Sequence, residues 1–121
     1  MIINLTQHAA TPEQLAVGVF DLPPDVRGRL VKWLTFDTIP CRDELLYAAE
    51  GIGLIAFHGG YKRAMIGGAP YLMAPLEQDL KRWGVEVLYA YSRRESVEET
   101  LPDGSVRKVM IFRHAGFINA L

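Results

Sequence analysis

The stretch Ala64–Leu80 constrains the fold more than any other part of the chain. Its apolar start, Ala64–Ile66, is typical of a short buried strand. Gly67 and Gly68 follow; because glycine lacks a Cβ, it permits positive φ and lets another molecule approach the backbone closely. A helical pattern then begins around Pro75, since proline fits the first turn of a helix. The order strand, tight loop and helix indicates an α/β unit whose loop either binds a phosphate group or is only a tight turn.

The composition is that of one globular domain spanning residues 1–121. Half of the residues are hydrophobic and 22% are charged, with a net charge of −1 that gives no general attraction for long nucleic acid. The single cysteine, Cys41, allows no intramolecular disulfide and no multi-cysteine zinc site, as in proteins of a reducing cytoplasm. The sequence lacks a signal peptide, and no apolar run reaches the roughly 18 residues of a membrane span. We therefore expect a cytoplasmic protein with no membrane association.

The first half of the chain begins with a strand and continues with helices. Met1–Leu5 is apolar and β-branched, which favours a buried strand. Thr11, Pro12 and Gln14 form the pattern of a capping box with proline at the first helical position, so a helix follows. The sequence leaves the structure of Val19–Leu22 ambiguous.

Two further helices are predicted before the Gly-Gly loop. Asp25–Phe36 carries apolar residues on one helical face. Arg42–His58 has two interpretations, because Ile52–Phe57 alone resembles a strand. Apolar residues at spacings of three and four nevertheless recur through the whole segment, so we predict a helix despite Gly51 and Gly53.

The C-terminal third reads as a helix end followed by a β-hairpin. Gly84 ends the helix, and Val85–Arg93 alternates as a strand whose extended pattern continues towards Thr100. Pro102–Gly104 is a turn, and Val106–Arg113 returns as an antiparallel strand. The complete order predicts an α/β fold, with a small Rossmann-like open sheet that is mostly parallel and ends in an antiparallel hairpin.

Ligands of such sheets bind beyond the carboxyl ends of the parallel strands. This rule selects residues from the ends of successive strands, namely Thr6, Gln7, His8, Thr11, Gly67, Gly68, Ala69, Tyr71, Ser92, Arg93 and Arg94. Arginine and backbone N–H groups suit phosphate, and an aromatic ring suits a base. Carboxylates are scarce among these residues, so we predict neither a metal site nor a cofactor.

Each of these residues also has a structural explanation. Thr6, Gln7 and Thr11 can cap the first helix, and the arginines can pair with glutamates of the hairpin. Ser92 and Arg94 share one face of the strand, so Arg94 is favoured over Arg93 as the residue that faces a ligand.

The motifs Thr6–His8, Gly67–Pro70 and Ser92–Arg94, each at the end of a strand, resemble the small CRISPR-accessory ring nucleases, which are relatives of CARF domains. The layout also resembles short proteins of unknown function carried on bacterial mobile elements. The first resemblance implies a homodimer that holds a cyclic oligoadenylate and cleaves it without metal, using a ribose 2′-hydroxyl as nucleophile. It implies that His8 acts as general base or acid and that Arg94, or the amides of Gly67 and Gly68, hold the phosphate.

Two other functions fit the same sequence. One is a module that senses a nucleotide without cleaving it. The other is a protein-interaction or inhibitor protein, which would expose an apolar patch around Phe112, Phe117 and Ile118. For His114, which ends the last strand, we expect a structural role or a subunit contact.

Overall fold

The computed structural model describes residues 1–121 as helices packed on a five-stranded sheet. The strands are β1 (Ile2–Asn4), β2 (Val19–Asp21), β3 (Arg63–Ile66), β4 (Glu86–Thr100) and β5 (Val106–Asn119). The helices are α1 (Pro12–Ala16), α2 (Pro24–Leu34), α3 (Arg42–Gly59) and α4 (Pro70–Arg82). The strands lie in the order β2-β1-β3-β4-β5, and every pair is parallel except β4 with β5. The predicted fold class is confirmed.

Local sequence accounts for several of these elements. The Thr11 hydroxyl accepts a hydrogen bond from the Gln14 N–H while the Gln14 side chain accepts one from the Thr11 N–H, which is the predicted capping box. The ambiguous segment after α1 forms the short strand β2. The segment Arg42–Gly59 is one continuous helix, as predicted, and ends at Gly60 in the left-handed conformation.

Packing explains why α3 tolerates its internal glycines. A Cβ on Gly51 would overlap the ring of Trp33, and a Cβ on Gly53 would overlap the carboxylate of Asp79. These glycines lower the intrinsic helix propensity but allow α2 and α4 to approach α3 closely.

The predicted start of α4 is wrong. The helix begins at Pro70, and Pro75 lies inside it. Pro70 occupies a first-turn position that suits proline, whereas Pro75 removes one internal hydrogen bond. Burial of Leu72, Met73, Leu76 and Leu80 on one face holds the helix together across that gap.

The sheet is covered unequally on its two faces. The main core lies between the sheet and α2, α3 and α4, and includes Ile3, Ala64, Ile66 and Val87. A smaller cluster on the other face joins Ile2, Val19, Met65 and Leu88. There the short helix α1 contacts β2 and β5. The thin cover on this side leaves the loops after β1 and β3 accessible.

The antiparallel hairpin extends well beyond the parallel strands. β3 pairs with β4 only over Glu86–Tyr89, whereas the pairing of β4 with β5 continues to Thr100. A β-bulge interrupts this pairing between Tyr91 and Ser92, opposite Gly116, whose φ is +152°. We call the segment Ser92–His114 the arm. β4 ends at Thr100, where the extended pattern was predicted to lead, whereas β5 continues past the predicted Arg113 to Asn119. The two strands are joined through Leu101 and Ser105 by a backbone hydrogen bond of 2.7 Å.

Candidate functional site

A cleft lies between the loops that follow β1 and β3. The chain leaves β1 towards β2 and leaves β3 towards β4, in opposite directions, so these loops diverge at the switch point of the sheet. The cleft has a volume of about 380 Å³. Its lining comprises Thr6, Gln7, His8, Ala9, Thr11, Gln14, Met65, Ile66, Gly67, Gly68, Tyr89 and Ala90. Loops far apart in sequence thus meet where α/β sheets commonly bind ligands.

The buried side chain of Asn4 shapes the first of these loops. Its Nδ2 donates to the His8 carbonyl at 2.7 Å and to Asp21 Oδ1 at 2.8 Å. Its Oδ1 accepts from the Thr6 N–H at 2.9 Å and from the Thr6 hydroxyl at 2.6 Å. Both amide donors and the acceptor oxygen are therefore satisfied inside the protein, which stabilises a single conformation of the loop.

Asp21 and Arg27 brace the same loop from the neighbouring elements. Asp21 Oδ1 also accepts from the Ala10 N–H at 3.1 Å and lies 3.3 Å from Arg27 Nη1. Arg27 Nη2 donates to the Gln7 carbonyl at 3.0 Å. β1, β2 and α2 thus all bond to the backbone that carries His8. Sequence reasoning missed these residues, although a polar Asn4 within an apolar strand is a signal that could have indicated them.

The glycine loop forms the opposite wall of the cleft. Gly68 has φ of +146°, which an L side chain rarely adopts, so this position requires glycine. A Cβ on Gly67 would lie 3.6 Å from the Thr6 side chain, an ordinary contact. α4 begins immediately afterwards, and no side chain caps its N-terminus. Pro70 has no N–H and the Leu72 N–H donates to the Ala69 carbonyl at 3.0 Å, so the Tyr71 N–H is the first-turn donor that lacks an acceptor, in contrast to the capped α1.

The structure places the other predicted residues outside the cleft. Tyr71 lies in the first turn of α4 and packs edge-on against Phe36, with ring centroids 6.1 Å apart. Arg94 lies over the ring of Phe112 at 5.5 Å. Ala69, Ser92 and Arg93 do not line the cleft either.

The prediction that one hollow unites the positions near 8, 68 and 94 is therefore correct for the first two and wrong for the third. The reason is that β4 does not end near Ser92 but continues into the arm. Whether the lining residues bind a ligand stays a prediction.

The polar side chains that line the cleft are hydroxyls, amides and the imidazole of His8. No lysine or arginine side chain lines it. Burial and the neighbouring Glu77 carboxylate raise the pKa of Tyr89, so its phenol stays protonated at neutral pH. An anion in the cleft would thus meet backbone N–H groups, hydroxyls, an amide and an imidazole. Nowhere in the chain do three side chains of the metal-binding types come together.

A larger hollow of about 500 Å³ lies between α2 and α3. Trp33 and Tyr61 line it together with aliphatic side chains, and Arg29 and His58 contribute its charged or titratable groups. None of the predicted site residues reaches it. We favour the smaller cleft as the candidate site, because it combines the loops of the switch point with a glycine that the backbone requires.

Comparison with known proteins gives one match. No curated protein and no solved structure matches the chain. None of its helices combines the length and apolar character that crossing a bilayer would require. Residues 1–118 match a protein family, which covers nearly the whole chain. The chain therefore belongs to the Uncharacterized protein MJ1673 family.

Proposed function

We propose that the cleft between the loops after β1 and β3 binds a phosphate-bearing nucleotide and that the protein cleaves a cyclic oligoadenylate there. The observation that carries this proposal is the meeting of His8 with the Gly67-Gly68 loop at the switch point of the sheet. The resemblance to ring nucleases supplies the specific substrate. A role in CRISPR-linked antiviral signalling in the cytoplasm follows from that resemblance alone.

The proposed reaction needs little from the protein beyond orientation and proton transfer. The ribose 2′-hydroxyl attacks the adjacent phosphorus, and the bond from phosphorus to the 5′-oxygen breaks. The products are a 2′,3′-cyclic phosphate and a 5′-hydroxyl. His8 takes the proton of the 2′-hydroxyl or gives one to the leaving oxygen. The reaction needs no metal-activated water, since the nucleophile belongs to the substrate, and the resemblance to ring nucleases implies cleavage without metal.

In this proposal, backbone N–H groups bind the phosphate. The N–H groups near Gly67 and Gly68, beside the uncapped N-terminus of α4, suit an oxyanion. Arg94 is the other phosphate ligand that the resemblance implies, but it contacts Phe112 outside the cleft of its own chain. Thr6, Gln7 and Thr11 position the nucleotide. A cyclic ligand with two-fold symmetry fits a homodimer, in which each copy contributes one cleft.

The test is incubation with cyclic tetra-adenylate and cyclic hexa-adenylate, followed by chromatography of the products. We expect linear products from the unaltered protein. His8→Ala should lower the cleavage rate by about 10²–10⁴-fold while largely sparing binding, as for removal of a general acid or base. His58→Ala, a histidine on α3 outside the cleft, is the matched control and should keep the full rate. An equally active His8→Ala variant would remove this residue from the mechanism.

Two alternatives have distinct outcomes, one in this cleavage experiment and one in a thermal-shift screen of cyclic and linear nucleotides. Binding without any linear product would indicate a nucleotide-sensing module. Failure of every nucleotide to raise the melting temperature would favour a protein-interaction role. That role has support in the exposed apolar side chains of β5, since Phe112 and Ile118 are more than half exposed whereas Phe117 is partly covered.

A further inference from the structure

One edge of the arm is open along its whole length. β3 covers the edge of β4 only as far as Tyr89, and β5 lies on the opposite side of β4. From Ala90 onwards, the backbone groups on the β3 side have no partner strand. Such an edge is a template for pairing with another strand.

The hydrogen bonds of β4 identify which residues face that edge. The Glu86 N–H donates to the Lys62 carbonyl on the β3 side. On the β5 side, the Val87 carbonyl accepts from the Ala120 N–H, and the Leu101 N–H donates to the Ser105 carbonyl. Because backbone groups alternate along a strand, the even-numbered residues from 92 to 100 direct their N–H and C=O groups towards the open edge.

The charges along this edge complement themselves. If two copies pair antiparallel with Ser96 opposite Ser96, Arg94 of each copy faces Glu98 of the other, and Arg93 faces Glu99. Within one chain, Arg93, Arg94 and Glu98 form no ion pair, whereas Glu99 pairs with Arg107 at 2.9 Å. The Arg94–Glu98 pair is therefore the one whose two members are both free to pair across the edge. Directly opposite unlike charges stabilise antiparallel pairs, and like charges destabilise them.

We propose that the β4 edge of the arm, Tyr91–Leu101, is an interaction surface for a second copy of this chain, paired antiparallel about a two-fold axis at Ser96. In this register Ser96, Arg94 and Glu98 fall at hydrogen-bonded positions, where each opposed pair exchanges two backbone hydrogen bonds. Half-exposed Tyr91 meets Leu101 at each end. The interface is self-complementary and closes at two copies.

The outer edge of β5 does not offer the same complementarity. Its charged residues within the arm, Arg107, Lys108 and Arg113, are all basic. Self-pairing along β5 therefore brings no acidic side chain opposite a basic one. The bulge near Gly116 also interrupts that strand, and bulges protect an edge from pairing. The open edge of β4 contains no bulge and carries both acidic and basic residues.

The register has a consequence for the cleft. With Ser96 at the axis, Pro102 of the second copy comes beside Ala90, which lines the cleft. The hairpin turn of one copy thus forms part of the rim of the other copy's cleft. The interface depends on residues of β4 alone and not on a bound nucleotide, so it can be tested without one and separately from the proposed function.

Analytical ultracentrifugation of the full chain tests the pairing. The unaltered protein should sediment as a dimer. Arg94→Glu and Glu98→Arg should each weaken the dimer by about tenfold or more, because each places like charges opposite one another twice. The double variant restores unlike pairs and should recover most of the dimer. Arg42→Glu, at the start of α3, is the control and should leave the dimer intact. A monomer at every concentration, or no rescue in the double variant, would overturn the proposal.

A backbone variant tests the register without changing charge. Ser96→Pro removes an N–H that faces the open edge, so the chain should fold normally yet remain monomeric. Val97→Pro removes an N–H that faces β5 and should instead lower the melting temperature. A folded Ser96→Pro protein that still dimerises would refute pairing through this edge. A Ser96→Pro protein as destabilised as Val97→Pro would refute the assignment of its N–H to that edge.

Discussion

Asn4→Asp is the substitution whose cost follows most directly from the structure. The Asn4 side chain is 0% exposed, and its Nδ2 donates to the carboxylate of Asp21 at 2.8 Å and to the His8 carbonyl at 2.7 Å. Aspartate replaces this donor with an oxygen, so a buried carboxylate at position 4 faces the partly exposed carboxylate of Asp21. A hydrogen bond to a charged group is worth about 1.5–3 kcal/mol and a neutral one about 1 kcal/mol. With the burial of an unpaired charge, we expect a loss of about 3–5 kcal/mol in the free energy of unfolding.

Urea denaturation at pH 7 measures this loss. Asn119→Asp is a matched control, because Asn119 Nδ2 also donates to a carboxylate, that of Glu86, at 2.9 Å but at an exposed site. There the same change should cost no more than about 1 kcal/mol. The deficit of Asn4→Asp should shrink as the pH falls towards about 4, because a protonated carboxyl can donate to Asp21 again. Equal losses in the two variants, or no pH dependence of their difference, would refute the assignment of Asn4 as the buried organiser of the loop.

Further predictions concern two glycines and the partly buried Asp79 of the helical layer, with Asp103 of the hairpin turn for comparison. Gly28→Ala, in an exposed turn of α2 with nothing near the added Cβ, should stabilise the protein by about 0.5–1 kcal/mol. Gly51→Ala should instead destabilise it by about 1–3 kcal/mol, because the Cβ overlaps the Trp33 ring. Urea denaturation measures both changes, and equal changes in the free energy of unfolding would contradict the close packing of α2 on α3. Burial raises the pKa of Asp79, so its carboxylate costs stability at neutral pH, and that cost disappears as the pH falls from the raised value to the unfolded value near 3.8. Asp79→Asn should therefore gain stability relative to the unaltered protein as the pH rises through this window. Asp103→Asn should instead lose stability relative to the unaltered protein as the pH rises through the window below 3.8, because hydrogen bonds with Ser105 lower the pKa of Asp103. Melting curves at several pH values measure both, and a melting-temperature difference between variant and unaltered protein that does not change with pH would contradict the assignment for that residue.

Much of the fold and half of the candidate site are readable from local patterns. The capping box at Thr11 depends on residues within one turn, and the helix Arg42–Gly59 on a periodicity that its own sequence carries. The proximity of the loops after β1 and β3 could be predicted, because loops at the carboxyl ends of neighbouring parallel strands lie at the same edge of any such sheet. The start of α4 does not follow from the sequence, because Pro70 and Pro75 both suit a first turn, and only burial of the intervening Leu72 and Met73 distinguishes them.

The sequence by itself determined the order and type of every element except β2, since these follow from periodicity, glycine and proline within a few residues. Only the tertiary structure decided that Asn4, Asp21 and Arg27 hold one loop, because the Asn4–Asp21 and Arg27–Gln7 hydrogen bonds join positions 17 and 20 residues apart. It also decided that β4 passes the end of β3 and carries Arg94 away from the cleft. The point at which β4 becomes unpaired on one side depends on the length of β3, and no pattern within β4 encodes the length of β3.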